Sequence, residues 1–265
     1  AAGTCTEDDC ELQMSNLHVA APLIWTRSQQ GKAPASVFVR CTIDGGVGKG
    51  AKPTVSCMLF SAANGSGDGK SVLHSTSLVQ KVDEQQQQGA IRALHANVRS
   101  RVDAELDHLV HANASEVDVL DSQLTYRLFS RVVSYSPLYH SAQRSHLSKW
   151  SGMSVVSFGN HSQDAARDVV HSGAFYLNPI SLDAVGQITG LVANTHWAPS
   201  DDHTVYVIES CQSVSLSKQL RVLMNSKRGE EMPEIQVLAI VRPPLTNAVD
   251  ESPQEIVLDA YLFQR

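Results

Sequence analysis

One stretch limits what this chain can become: "GAFYLNPISLDAVGQITGLVAN", residues 173–194, whose single formal charge is Asp183. Asn178 is a good N-cap, and Pro179 suits the first helical position, where its missing N–H is not needed. Ala184, Val185, Ile188, Leu191 and Val192 recur at helical spacing, which predicts a helix over 178–194. Asp183, Gln187, Gly190 and Asn194 follow at steps of four, three and four and line one face of it. The remaining surface is apolar nearly all round, as in a helix enclosed by its domain. A carboxylate there has to be paired, hydrogen-bonded or shifted in pKa, because desolvation disfavours its charged form. Perturbed groups concentrate at functional sites, so Asp183 is the first candidate for chemistry; local capping or packing against a donor is the alternative.

The segments around that helix read mostly as strands. "LQMSNLHVAAPLIW" (12–25), "SVFVRCTI" (36–43), "TVSCMLFSA" (54–62) and "VLHSTSLVQKV" (72–82) are rich in β-branched and apolar residues, the middle two as an antiparallel pair. A polar, helix-prone stretch follows, with Ile91, Leu94, Val98, Val102, Leu106 and Val110 at threes and fours; its glutamine run reads as a solvated loop or first helical turn. "DSQLTYRLFSRVVSYSPLYH" (121–140) predicts an amphipathic helix with Leu124, Leu128 and Val132 on one face, closing before Pro137. "MSVVSFG", "AARDVVH", "HTVYVIESC", "SVSLS", "EIQVLAIVRPP" and "EIVLDAYLFQR" supply further strands. Strands, helices, then strands around a buried helix point to α+β, with antiparallel sheet wrapped round a central helix.

Several tempting motifs fail on spacing. "DGGVGKGAK" is a flexible hairpin loop: Ile43 stands where a phosphate loop needs its first Gly, and Gly50 replaces the Ser/Thr. His95, His108 and His111 lack the Glu and the spacing of a zinc helix and read as surface residues. Asp201, Asp202 and His203 are sequential loop residues, weak as a cation site, and no metal is expected. Tyr126, Tyr135, Tyr139 and Phe129 read as core and interface aromatics.

A net charge of −6 gives no bulk basicity to attract nucleic acid, and no apolar run approaches a membrane span. The N-terminus "AAGTCTEDDCELQ" is acidic, without the apolar core of a signal peptide. Five spaced cysteines (Cys5, Cys10, Cys41, Cys57, Cys211) fit reduced thiols better than a disulfide framework. A cytoplasmic location is therefore expected, and the sequons at Asn64, Asn113 and Asn160 read as chance.

Taken together, "YRLFSRVVSYSPLYH" (126–140), the 173–194 stretch and the closing "EIVLDAYLFQR" resemble the product template domain of fungal non-reducing polyketide synthases. "NLHVAAPLIW" resembles the strand that follows that family's first central helix. The most specific part is Pro179, Asp183, Gln187, Gly190 and Asn194, which match the family's C-terminal central helix. The wider relative is the polyketide synthase dehydratase domain.

The resemblance implies a double hotdog fold, two antiparallel sheets each wrapped round a long helix. It divides the chain into a partial N-terminal hotdog (1–118), a linking helix (119–146) and a C-terminal hotdog (147–265). The implied activity is regiospecific aldol cyclisation and aromatisation of a poly-β-ketone, with no cofactor beyond the phosphopantetheine of an acyl carrier protein that carries the substrate. A methylene between two carbonyls is acidic enough for a histidine to deprotonate, and the pocket fixes which carbons meet. Asp183 matches the aspartate that orients this histidine, and Gln187, Asn194 and Tyr139 are the implied substrate contacts. The histidine belongs on a first helix ahead of the opening strand, and this sequence starts at about that strand. His18 lies in the wrong element to replace it. The expectation is a piece of an active domain, partnered by the carrier protein and neighbouring synthase domains and compatible with a homodimer. A dehydratase, with Asp183 as general acid, and a non-catalytic hotdog scaffold are the alternative readings.

Overall fold

Half of the pairings in the first sheet join consecutive strands, because short runs of β-branched and small polar residues alternate with turn-forming sequences. The computed structural model describes residues 10–20, 36–44, 54–62, 71–157, 179–198, 205–220, 234–242 and 256–264. Two units are distinguishable, 1–95 with 208–218, and 96–207 with 219–265. In the first, β1 (Cys10–Val19), β2 (Ser36–Asp44), β3 (Thr54–Ala62), β4 (Ser71–Asp83) and β8 (Ser210–Val214) pair in the order β2-β3-β4-β1-β8. Every pairing is antiparallel. The register of β1 on β4 shifts between Ser15 and His18, where Asn16 takes φ 50°. Asparagine tolerates that left-handed conformation, so a bulge forms there at little cost.

The second unit is built on β5 (Asp118–Asp121), β6 (Ala142–Leu147), β7 (Ser151–Val156), β9 (Ile235–Val241) and β10 (Leu258–Gln264), in the order β10-β9-β7-β6-β5. Helix α1 (Glu84–His111) ends in this unit, and α2 (Ser122–Phe129) and α3 (Pro179–His196) lie within it. Alternate residues of β7 and β9 serve opposite faces. Met153, Leu238 and Ile240 cluster with Val102 and Leu109 of α1 and with Val117. On the other face Gly152 lies against Val192 and Ile188 of α3. A sheet covered on both faces needs apolar residues at every position, which is why β9 reads "IQVLAIV" without alternation and is buried along all but one residue.

The α+β class and the buried helix match expectation; α3 runs two residues past Asn194, and Ala184, Ile188, Leu191 and Val192 are all buried. Asn178 and the "AARDVVH" segment lie outside the described residues, as do the loops at 45–53 and 63–70. The glutamine run forms the first turns of α1, with the Gln86 N–H donating to Asp83 Oδ1 at 2.9 Å. Leu94 and Val110 fall off the buried stripe of that helix, at 54% and 51% exposure.

The linking helix is a correction. Residues 119–146 hold the end of β5, the eight-residue α2, a 3-10 turn at Pro137–Tyr139 and most of β6. The buried face of α2 is Thr125, Tyr126 and Phe129, while Leu124 and Val132 are 40% and 38% exposed. Helical spacing fits either face, and the larger aromatic surface goes inward. "HTVYVIESC" is corrected too: the strand starts only at Ser210, and Val207 upstream is 75% exposed.

Candidate functional site

Helix α3 presents Asp183 and Gln187 one turn apart, on a face turned toward the 3-10 turn that ends at Tyr139. Gln187 is 3% exposed and spends its whole amide. One N–H donates to Asp183 Oδ2 at 2.8 Å and the other to the Tyr139 carbonyl at 2.9 Å. Its Oε1 accepts the Tyr126 hydroxyl at 2.8 Å. That hydroxyl carries one proton, which also faces the Tyr139 carbonyl at 3.0 Å, and its oxygen accepts the Ala142 N–H at 2.9 Å. The amide is thereby fixed in one orientation, with a donor aimed at the carboxylate.

Aromatic rings wall this network. His140 stacks on Tyr126 with ring centres 3.8 Å apart, and Tyr135 meets Tyr126 and Phe129 edge-on at 6.1 and 5.1 Å. Burial pushes the Tyr126 hydroxyl up to about 12. Tyr135 rises to about 12 as well, first from burial and then from the negative charge of Asp183. Both phenols therefore stay protonated donors at neutral pH.

Asp183 itself is half-buried. Burial raises its pKa, and the Gln187 hydrogen bond draws it part of the way back. Among the described residues no cation and no second hydrogen-bond donor reaches this carboxylate. A single neutral donor compensates a desolvated carboxylate only in part, so the group is poised to take a proton or to receive a further donor.

Asp183, Gln187 and Tyr139 thus come together, Tyr139 through its backbone carbonyl. Asn194 does not join them, being about 16 Å from Asp183 along the helix axis at 1.5 Å per residue. Its side chain is committed elsewhere: Nδ2 donates to the Gly190 and Tyr206 carbonyls at 2.9 and 3.0 Å, and Oδ1 accepts the Tyr206 N–H at 2.8 Å. Those bonds dock the segment after α3. Tyr126 is the residue that sequence reasoning passed over as a core aromatic. It stands 61 positions from Gln187, and no local spacing signals a bond of that range.

The other described histidines lie elsewhere. His18 is exposed on β1, opposite Thr76 and Ser210. His146 bonds the Leu109 carbonyl at 3.0 Å, and burial lowers its pKa, as it does for His196. His95, His108 and His111 ride on α1. Asp201, Asp202 and His203 fall outside the described residues. Among the described residues no three His, Cys, Asp or Glu side chains cluster as metal ligands, and no helix is long and apolar enough to cross a membrane.

No protein-family profile matches the chain. Over 123 residues, 45% of its length, the chain is 28% identical to the non-reducing polyketide synthase PKS12 of Gibberella zeae, of which the match spans 5%. Among solved structures, it superposes on a trans-AT polyketide synthase dehydratase domain from Brevibacillus brevis with a TM-score of 0.59 at 14% identity, over 99% of this chain and 74% of that one. The CurJ dehydratase domain of the curacin polyketide synthase gives 0.56 at 10% identity, over 96% of this chain and 69% of its own. The CurF domain of the same synthase gives 0.55 at 13%, over 98% and 78%. With two antiparallel five-stranded sheets and their helices, the chain has the double hotdog fold of polyketide synthase dehydratase domains, and part of its sequence is similar to a fungal non-reducing polyketide synthase.

Proposed function

We propose that this chain belongs to a product template-type domain that cyclises a carrier-bound poly-β-ketone by aldol condensation and directs its aromatisation. The observation that carries the reading is the half-buried Asp183, held by a Gln187 whose every polar atom is engaged. A carboxylate fixed on one edge and open on the other suits the task of orienting an imidazole. In this reading a histidine, which the family resemblance places on a helix preceding the opening strand, takes a proton from a methylene flanked by two carbonyls. Asp183 holds that imidazole in one tautomer and stabilises its cationic form. The protonated Tyr135 beside Asp183 supplies a donor for the enolate or the carbonyl it attacks. The carrier protein and the neighbouring synthase domains are the proposed partners.

A dehydratase reading has its own support: burial raises the pKa of Asp183, as a general acid protonating a departing β-hydroxyl requires. The structural neighbours are dehydratase domains. The two reactions differ in product. The synthase carrying Asp183→Asn, supplied with a carrier-bound poly-β-ketone, is expected to lose its aromatic product and release spontaneously cyclised chains, read by mass spectrometry. Turnover of a carrier-bound β-hydroxyacyl chain to an enoyl thioester, lost in the same variant, would establish the dehydratase instead. An unchanged product pattern in both assays would leave only a scaffold.

A further inference from the structure

Strand β2 places Cys41 directly opposite Cys57 of β3. Both side chains leave the same face of the sheet, and their sulfurs stand 3.4 Å apart as free thiols. Residues opposite one another in an antiparallel pair hold their Cα atoms about 4.5–5.5 Å apart. A disulfide spans about 4.4–6.8 Å, so side-chain rotation alone can close the bond. Among the described residues strand β2 is an edge of its sheet, with Cys41 exposed and Cys57 half-buried. Cys211 contrasts with the pair: it lies in β8 at the opposite edge, its register partner on β1 is Leu17, and its thiol faces the Ser213 carbonyl at 3.5 Å.

We propose that Cys41 and Cys57 form a modification site, converted by a hydroperoxide into a reversible cross-strand disulfide. The exposed Cys41 sulfur attacks one oxygen of hydrogen peroxide, the O–O bond breaks, and a sulfenic acid and one water result. The Cys57 sulfur then displaces the sulfenic oxygen, which leaves with the Cys57 proton as a second water. Two thiols and one peroxide yield one disulfide and two waters. Order follows from environment: Cys41 is the exposed member, while burial, then the hydrogen bond and charge of Cys41, raise the Cys57 pKa, so Cys57 is the slower of the two to react with peroxide. A dithiol reductant reverses the reaction, as for exposed disulfides in general. The bond pins the edge strand β2 in register on β3, since slippage by one residue would carry the two sulfurs to opposite faces. This site is in the first unit, whereas Asp183 is in the second.

The test is peptide mapping of the unmodified chain after hydrogen peroxide treatment and thiol capping. The expected product is a Cys41 peptide joined to a Cys57 peptide, separable by dithiothreitol and formed about tenfold faster in folded protein than in urea, because the fold holds the thiols at high effective concentration. Cys211→Ser should leave the cross-link unchanged, and Cys41→Ser should abolish it. Complete capping of both thiols after peroxide, joining to other cysteines, or equal rates in folded and urea-unfolded chain would overturn the proposal.

Discussion

Asp183 sits where desolvation and one hydrogen bond oppose each other, and desolvation is the larger effect. The consequence for stability has a definite sign. A carboxyl whose pKa is raised by folding favours the folded state when protonated. That contribution is fully present below the ordinary aspartate value near 3.8 and is lost as pH rises through the raised folded value. Asp183→Asn copies the neutral form and still accepts the Gln187 N–H. The variant should therefore melt about 1–3 °C above the parent at pH 7, and the difference should vanish on acidification below about pH 4. Scanning calorimetry across that range checks it; an advantage independent of pH would mean that the carboxylate is better solvated than its burial indicates. Asp183 itself was legible in the sequence, as a lone charge in an apolar helix. Tyr126 was not, because the bond that makes it part of the site is made only when α2 packs beside α3.

Helix α3 approaches β7 closely because Gly152 has no side chain. A Cβ at that position would collide with Val192 Cγ2 and come within 2.9 Å of Leu147 Cδ2 and 3.3 Å of Ile188 Cδ1. All three neighbours are fully buried, and valine has little rotamer freedom with which to yield. Gly152→Ala should cost about 2–3 kcal/mol through overpacking, measured as a lower urea midpoint with the slope unchanged. Because α3 carries Asp183 and Gln187, the same variant should also disturb the site more than its distance from Asp183 suggests. A neutral substitution would show that helix and sheet can separate at little cost. The spacing of apolar residues announced α3 itself. The role of Gly152 came from a close approach between segments far apart in the chain. The same limit explains α2: two faces of "LTYRLFSRVV" fit a helical period, and only the surface it meets chooses between them.

At the scale of the whole molecule, burial is uneven. Among the described residues every buried apolar side chain belongs to the second unit, from Val102 to Val241. In the first unit the buried residues are the polar His74 and Gln87, while Val39, Ile43 and Val72 are 61%, 70% and 49% exposed. Opening free energy follows buried apolar contact. Amides of β7 and β9 should therefore exchange with deuterium about a hundredfold or more slower than those of β2 and β3, about 3 kcal/mol in local stability. Hydrogen-exchange mass spectrometry reads this directly, and equal protection of the two sheets would contradict it. What the sequence alone determined is what local chemistry encodes: the α+β class, the pairing of β2 with β3, the buried helix now seen as Pro179–His196 and the anomalous charge within it. These follow from periodicity and desolvation, which act over a few residues. Tertiary structure alone decided which face of α2 is buried, that Asn194 serves the backbone of Tyr206 rather than Asp183, and that Gln187 is locked by Tyr126 and Tyr139. Each of those depends on which distant segments meet, and the free energy of a hydrogen bond or a packed ring exists only once its partner has arrived.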